Sequence, residues 1–274
     1  MSSTNSTPVK VMMDREEACC TVKLPGVSSS EWIKINPGVV GYYRVNYDPE
    51  ELSKLCDAVS NKALDPVDRL NILDDLFSLI AAGRAKSVDG LRLLKSYKNE
   101  DSYIVWNNIA TQIAKISTII ADKDYFDDWQ RFKLDLFSVI KQSITWDPAP
   151  GEGHLDTLLR SIILSQLGQA GDEEVRAEAK RRFDGHVSGV SQINPDIRAA
   201  VYRIVASMGQ EEDYNTMVKL HDDGETQEEK CRIQRSGLGC FASKTLLAKS
   251  LEMSIGDKVR AQDSVHFISS IAAK

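Results

Sequence analysis

At Asp48 the spacing of apolar residues changes from two to about 3.6, and this switch restricts the chain to a strand-like start and a helical remainder. The text "DPEE" reads as a helix start. Asp48 is placed to accept from the unpartnered amides of a first turn, Pro49 lacks the donor that would go unused there, and Glu51 takes the third helical position. The same grammar returns at Asp65-Pro66-Val67-Asp68 and at Asn194-Pro195. Beyond Asp48 the apolar residues form stripes. One is Trp106, Ile109, Ile113, Ile116 and Ile120; another is Leu155, Leu158, Leu159, Ile162 and Ile163; a third is Ile197, Val201, Ile204, Val205 and Met208. Roughly a dozen helices are expected, of ordinary length. They are joined by short breaks such as "AAGRAKS", "LGQAGDEE" and "HDDGETQ". Short connections make successive helices antiparallel neighbours, which predicts an irregular α-solenoid of antiparallel helix pairs, HEAT- or armadillo-like. The one long irregular stretch, "TWDPAPGEGH" from Thr145 to His154, holds prolines and glycines that exclude a helix and is expected to be a surface loop.

Ahead of Asp48 the period is two. Val9, Val11 and Met13 share a face, as do Cys20, Val22 and Leu24. Ile33 and Ile35 stand opposite Trp32 and Lys34, and Tyr43, Val45 and Tyr47 opposite Tyr42, Arg44 and Asn46. With turns at Pro25-Gly26 and Pro37-Gly38, these segments predict four strands in a small antiparallel β-sheet with one buried face. The fold class is therefore expected to be mainly α, with a β domain over 1–47 and a helical domain over 48–274. The first seven residues are polar and expected to fray. The last segment, "DSVHFISSIAAK", carries Val265, Phe267, Ile268 and Ile271 and then stops, so the helical domain is expected to be incomplete at its C-terminus.

The same residues exclude several functions. The net charge is −6, and the excess of carboxylates lies after Tyr47, which argues against nucleic-acid binding. No apolar run approaches the ~18–20 residues of a membrane span, and no signal peptide opens the chain. The five cysteines, Cys19, Cys20, Cys56, Cys231 and Cys240, form no CxxC and suit a reducing, cytoplasmic setting. The sequon at Asn5-Ser6-Thr7 is of a kind common by chance and, without a signal peptide, is discounted. His154, His186, His221 and His266 have no histidine partner at ligand spacing, so no zinc motif is present. There is no GxSxG, no P-loop and no strand-linked GxGxxG. "SGLG" at Ser236–Gly239 reads as a helix stop and restart. The pairs Asp74-Asp75, Asp127-Asp128, Asp222-Asp223 and Glu228-Glu229 read as solvated faces, and "KRRF" from Lys180 as the basic end of a helix with acidic start. Trp106, Trp129 and Trp146 are expected to anchor helix packing. These residues predict no catalytic residue, no metal ligand and no cofactor site.

Several strings in one order resemble a known family. "WIKINPGVVGYYRVNYD" is similar to the end of the β-sandwich domain in zinc aminopeptidases of the aminopeptidase N and puromycin-sensitive class. "DPVDRLNILDDLFSLIAAG", "NEDSYIVW", "TWDPAPGEGHLDTLLR" and "QEEKCRIQRSGLG" resemble their helical C-terminal domain, so the resemblance runs from about Val9 to the end and looks nearest the cytosolic puromycin-sensitive branch. It implies a partial β-sandwich over 1–47 and part of a helical bowl over 48–274, which packs on a catalytic domain absent from this chain and encloses a peptide substrate. The family's zinc motif HExxH and its GxMEN motif are absent here, so zinc belongs to the full-length family, and this chain alone is expected to be inactive. By position, the stretch from Asp147 to Arg160 is expected to face the peptide cavity, and Arg160 is the one substrate-facing candidate, weighed against a structural ion pair. Arg69 is expected to be structural. The alternative is a non-catalytic helical-repeat scaffold or peptide-binding module.

Overall fold

The computed structural model describes residues 1–2, 7–11 and 19–273. Met13 of the first expected strand, and Asn5 and Ser6 of the sequon, lie outside the described residues. Twelve α-helices form among the described residues. They are α1 (Pro49–Ser60), α2 (Pro66–Ala81), α3 (Ser87–Ser96), α4 (Tyr103–Ile120), α5 (Phe126–Phe137) and α6 (His154–Ala170), then α7 (Glu173–Val187), α8 (Pro195–Met208), α9 (Glu211–Asp223), α10 (Gln227–Ser236), α11 (Lys244–Ser254) and α12 (Ala261–Ala272). The cap at Asp48 forms: its carboxylate accepts from Glu50 N–H at 2.9 Å and Glu51 N–H at 3.0 Å. Asn194 caps α8 through Asp196 N–H at 3.0 Å. Asp65 adopts the extended cap backbone without a side-chain bond. No described helix is long and apolar enough to cross a membrane. The chain divides into two compact units, Met1–Ile109 and Ala110–Lys274, with the boundary inside α4.

In the first unit α1 and α2 both pack on α3. Leu55, Ile72, Leu73, Leu93, Leu94 and Tyr97 are all buried and form its core. The expected antiparallel sheet over 1–47 does not form. Among the described residues there is no strand, only an isolated antiparallel bridge between Ser2 and Ile33. The reason lies in where the backbone donors go. Gly38 N–H donates to Asp68 Oδ1 at 2.8 Å, Val45 N–H to Asp75 Oδ2 at 3.1 Å, and Ile33 N–H to Glu51. Ile35 N–H donates to the Tyr47 hydroxyl at 3.0 Å and Gly41 N–H to Asn36 Oδ1 at 2.7 Å. A ladder needs such donors on a neighbouring strand; here side chains of α1, α2 and the segment itself take them. Ile35 and Tyr43 are exposed, as are Val9, Val11 and Val22. The segment is pinned instead by Lys34. Its buried ammonium donates to Asn71 Oδ1 at 2.7 Å and to the Ile35 carbonyl at 2.7 Å, and lies 3.6 Å from Asp68. Burial pushes the Lys34 pKa down, while Asp68 and Asp75 oppose that shift.

The second unit is built from apolar stripes. α6 packs on α5 and α8, α7 on α8, α8 on α10, and α10 on α9 and α12. Leu159 and Ile163 of α6 and Ile197, Val201, Ile204 and Val205 of α8 are buried, whereas Leu155 at the start of α6 is exposed. Gly168 lets α6 and α8 approach: a Cβ there would stand 2.5 Å from Ile204. Phe183 of α7 meets Tyr202 of α8 edge to face at 6.1 Å. After Ser236 a buried 3-10 turn, Leu238–Cys240, separates α10 from α11, so "SGLG" is a stop between helices.

Candidate functional site

The segment singled out in the sequence, Asp147 to Arg160, is the greater part of a loop from Thr145 and the start of α6, and charged clasps at Arg160 and Arg182 shape it. At its foot, Arg160 Nε donates to the Thr145 carbonyl at 2.7 Å. The same guanidinium pairs through Nη2 with Glu152, near the loop's far end. Glu152 also accepts the Ala149 N–H at 2.8 Å. Arg160 therefore closes the loop upon itself. Its guanidinium is 5% exposed and already carries a carboxylate. That carboxylate is held below the ordinary range by Arg160 first and by the Ala149 amide second. At the entrance, Asp147 receives a bidentate pair from Arg182 of α7, at 2.8 and 2.6 Å. Arg182 also donates to Glu178 at 2.7 Å and lies over the Trp146 ring, 5.2 Å from its centre. Arg182 holds the Asp147 pKa down. Gly151 turns the loop at φ +81°, and Asp156 accepts the Gly153 N–H at 3.1 Å to begin α6.

The sequence singles out Arg160 here, gives Trp146 a helix-packing role and Arg182 a place at the basic end of α7, and gives no sign of Glu152. "KRRF" was assigned to pairs within its own helix. Such pairs exist, Arg181 and Arg182 both reaching Glu178, yet Arg182 also reaches back 35 residues to Asp147. Arg69 is a second enclosed clasp, in the first unit: it grips Glu100 with two bonds of 2.7 Å, and the Tyr97 hydroxyl donates to its carbonyl at 2.6 Å. Both partners are buried.

The histidines are separate. His221 is buried in α9, where Gln234 of α10 lies 2.9 Å from Nε2 and Asp222 lies 3.4 Å from Nδ1. Burial, above all, pushes its pKa down, as it does for His186. Among the described residues no group of three or more His, Cys, Asp or Glu is arranged to hold a metal ion. The zinc implied by the resemblance thus finds no fitting ligand set in them.

The geometry describes a helical framework with a braced loop, and comparison with known proteins decides the family. A family model described as the ERAP1-like C-terminal domain matches residues 32–274. The chain belongs to that family. Aminopeptidase M1-A of Oryza sativa subsp. japonica is 32% identical over 249 residues, covering 88% of this chain and 28% of that protein. Aminopeptidase M1 of Arabidopsis thaliana is 32% identical over 257 residues, with 91% and 29% covered. Puromycin-sensitive aminopeptidase of Caenorhabditis elegans is 25% identical over 271 residues, with 97% and 28% covered. The chain spans less than a third of the length of these curated relatives. The resemblance of "WIKINPGVVGYYRVNYD" and the strings after it is therefore to the right family, and the matched region begins at Trp32, where that text begins.

Proposed function

We propose that this chain is the C-terminal, substrate-enclosing part of a cytoplasmic zinc aminopeptidase. In the whole enzyme the helices lie against a catalytic domain, bound peptide is sequestered between them, and the bond is broken in the other domain. The observation that carries this reading is the family match over residues 32–274 together with relatives named as aminopeptidases. The braced loop fits such a role, because surfaces that enclose a ligand are usually largely pre-formed. Arg160 acts in this reading as a positioning residue. Its charge, matched by Glu152, shapes the loop that faces the peptide, and a peptide carboxylate would have to displace Glu152 to reach it.

The reading is tested by incubating the purified chain with zinc and aminoacyl-amide reporters. No turnover is expected. Turnover abolished by a chelator would overturn the view that the chemistry lies outside this chain. The genomic sequence upstream of Met1 gives an independent check: an in-frame HExxH and GxMEN are expected there, and their absence would favour a stand-alone binding module.

A further inference from the structure

His221 and Gln234 are each 1% exposed, and they meet where α9 packs on α10. Gln234 Nε2 lies 2.9 Å from His221 Nε2, while Gln234 Oε1 has no partner among the described residues. A buried acceptor left bare while its own amide nitrogen faces a ring requires a reason. The reason lies on the other side of the ring. His221 Nδ1 faces Asp222 Oδ1 at 3.4 Å. Lys258 holds that carboxylate ionised, with Nζ 2.5 Å from Oδ2 and the Asp222 pKa pushed down. An ionised carboxylate can only accept, so Nδ1 carries the proton of the neutral ring and Nε2 keeps a lone pair. A lone pair needs a donor. Gln234 therefore turns its NH2 group inward and its oxygen away, and Asp222 sets the carboxamide through the ring.

Protonation reverses the demand. A proton taken from solvent at Nε2 makes that atom a donor, and two donors then face each other across 2.9 Å. Half a turn of the carboxamide replaces the NH2 with Oε1, which is able to accept. The unpartnered end passes from oxygen to nitrogen, and the charge on the ring decides which end is held. The charges acting on the ring are Asp222, which favours the proton, and Lys230 of α10 and Lys258 of the turn before α12, which oppose it. α8 also packs on α9. It carries Asp196 in its first turn, Arg198 and Tyr202, both engaged with Glu229, and Arg203, which donates to Ser236. The 3-10 turn Leu238–Cys240 brings only the Cys240 thiol, which donates to the Arg235 carbonyl.

We propose that His221 and Gln234 form an acid-operated latch between α9 and α10: the neutral ring holds the Gln234 nitrogen inward, and the charged ring holds its oxygen. The latch lies within the second unit and does not depend on the aminopeptidase reading. The test uses the whole chain labelled with heavy nitrogen in histidine and glutamine, followed by NMR from about pH 8 to about pH 5, the range that spans an ordinary histidine. His221→Gln and Gln234→Leu identify the two signals by their loss. At the alkaline end His221 is expected to carry its proton on Nδ1 alone. As the ring gains its second proton, the Gln234 NH2 is expected to lose its hydrogen-bonded shift with the same midpoint. Asp222→Ala should move the neutral ring's proton toward Nε2, changing the tautomer ratio roughly tenfold. The proposal is overturned if the neutral parent ring is protonated on Nε2, or if the Gln234 NH2 keeps its shift through the His221 midpoint. It is overturned equally if Asp222→Ala leaves the tautomer ratio as it was, or if His221 stays neutral until the chain unfolds.

Discussion

The segment Trp32–Tyr47 and the helices α6 to α8 solve one problem in opposite ways. A helix closes its own backbone hydrogen bonds and needs its neighbours only to cover an apolar stripe. α6 and α8 do this, burying Leu159, Ile163, Ile197, Val201, Ile204 and Val205. The segment, turned by a 3-10 turn at Pro37–Val39, has no internal ladder and borrows acceptors one at a time, from Glu51 on α1 and from Asp68 and Asp75 on α2. Its integrity is therefore concentrated in a few polar side chains, while that of the helices is spread over many methyl groups. The lesson concerns fragility: a region with few, specific ties fails at once when one is cut, and a region with many nonspecific ones weakens gradually.

The largest effect is expected at Lys34. Lys34→Met leaves Asp68 buried without its cation and Asn71 without its donor, at a cost of about 3–5 kcal/mol. Ile204→Val in α8 is expected to cost only about 0.5–1.5 kcal/mol. Urea unfolding of the two variants compares them directly, and equal losses would break the contrast. Next comes Gly168→Ala. Its new methyl group meets Ile204, and overpacking of this sort costs about 1–3 kcal/mol. Ile204→Val in the same chain should return part of the loss, and a simple sum of the two single effects would deny that the helices touch there.

A smaller, pH-dependent effect belongs to the second unit. Burial holds His186 and His221 neutral in the folded protein, below their ordinary pKa. As pH falls through about 6.5 the unfolded chain takes up protons first, so stability is full above that value and declines below it. Asp147 and Glu152, held down by arginines, contribute stability at neutral pH that is lost below the ordinary carboxylate range of about 4. Urea midpoints from pH 7 to pH 3 should fall in two stages, and His221→Gln should flatten the first. The most local effect is expected from Arg160→Met, which removes the cation from Glu152. Its local effect is faster amide exchange across residues 145–153, read by hydrogen-exchange mass spectrometry, with the first unit unchanged. Unaltered exchange in the loop would remove Arg160 from its role as brace.

The helices were legible because their signals are local. A cap such as Asp48 with Pro49, and a stripe such as Ile197, Val201, Ile204 and Val205, refer to residues within a few turns of each other. The sheet was misjudged for a converse reason. Alternation at Tyr43, Val45 and Tyr47 reports an extended backbone, yet nothing in it states whether another strand or the side chains of α2 will accept the hydrogen bonds. At the loop, Arg160 stood out by its position in the family resemblance, and its partner Glu152 was not foreseen. Arg182 did not, since its partner Asp147 is 35 residues away and a nearer one, Glu178, explained it well enough.

The clasps on the loop from Thr145 to Gly153 have one more consequence. Arg160 and Arg182 tie a proline- and glycine-bearing stretch to α6 and α7. Ordering a floppy loop around a guest subtracts from affinity, whereas a loop ordered beforehand has little left to lose. On the reading proposed above, this stretch is a stiff template for a bound peptide, and guests that already fit it hold the advantage.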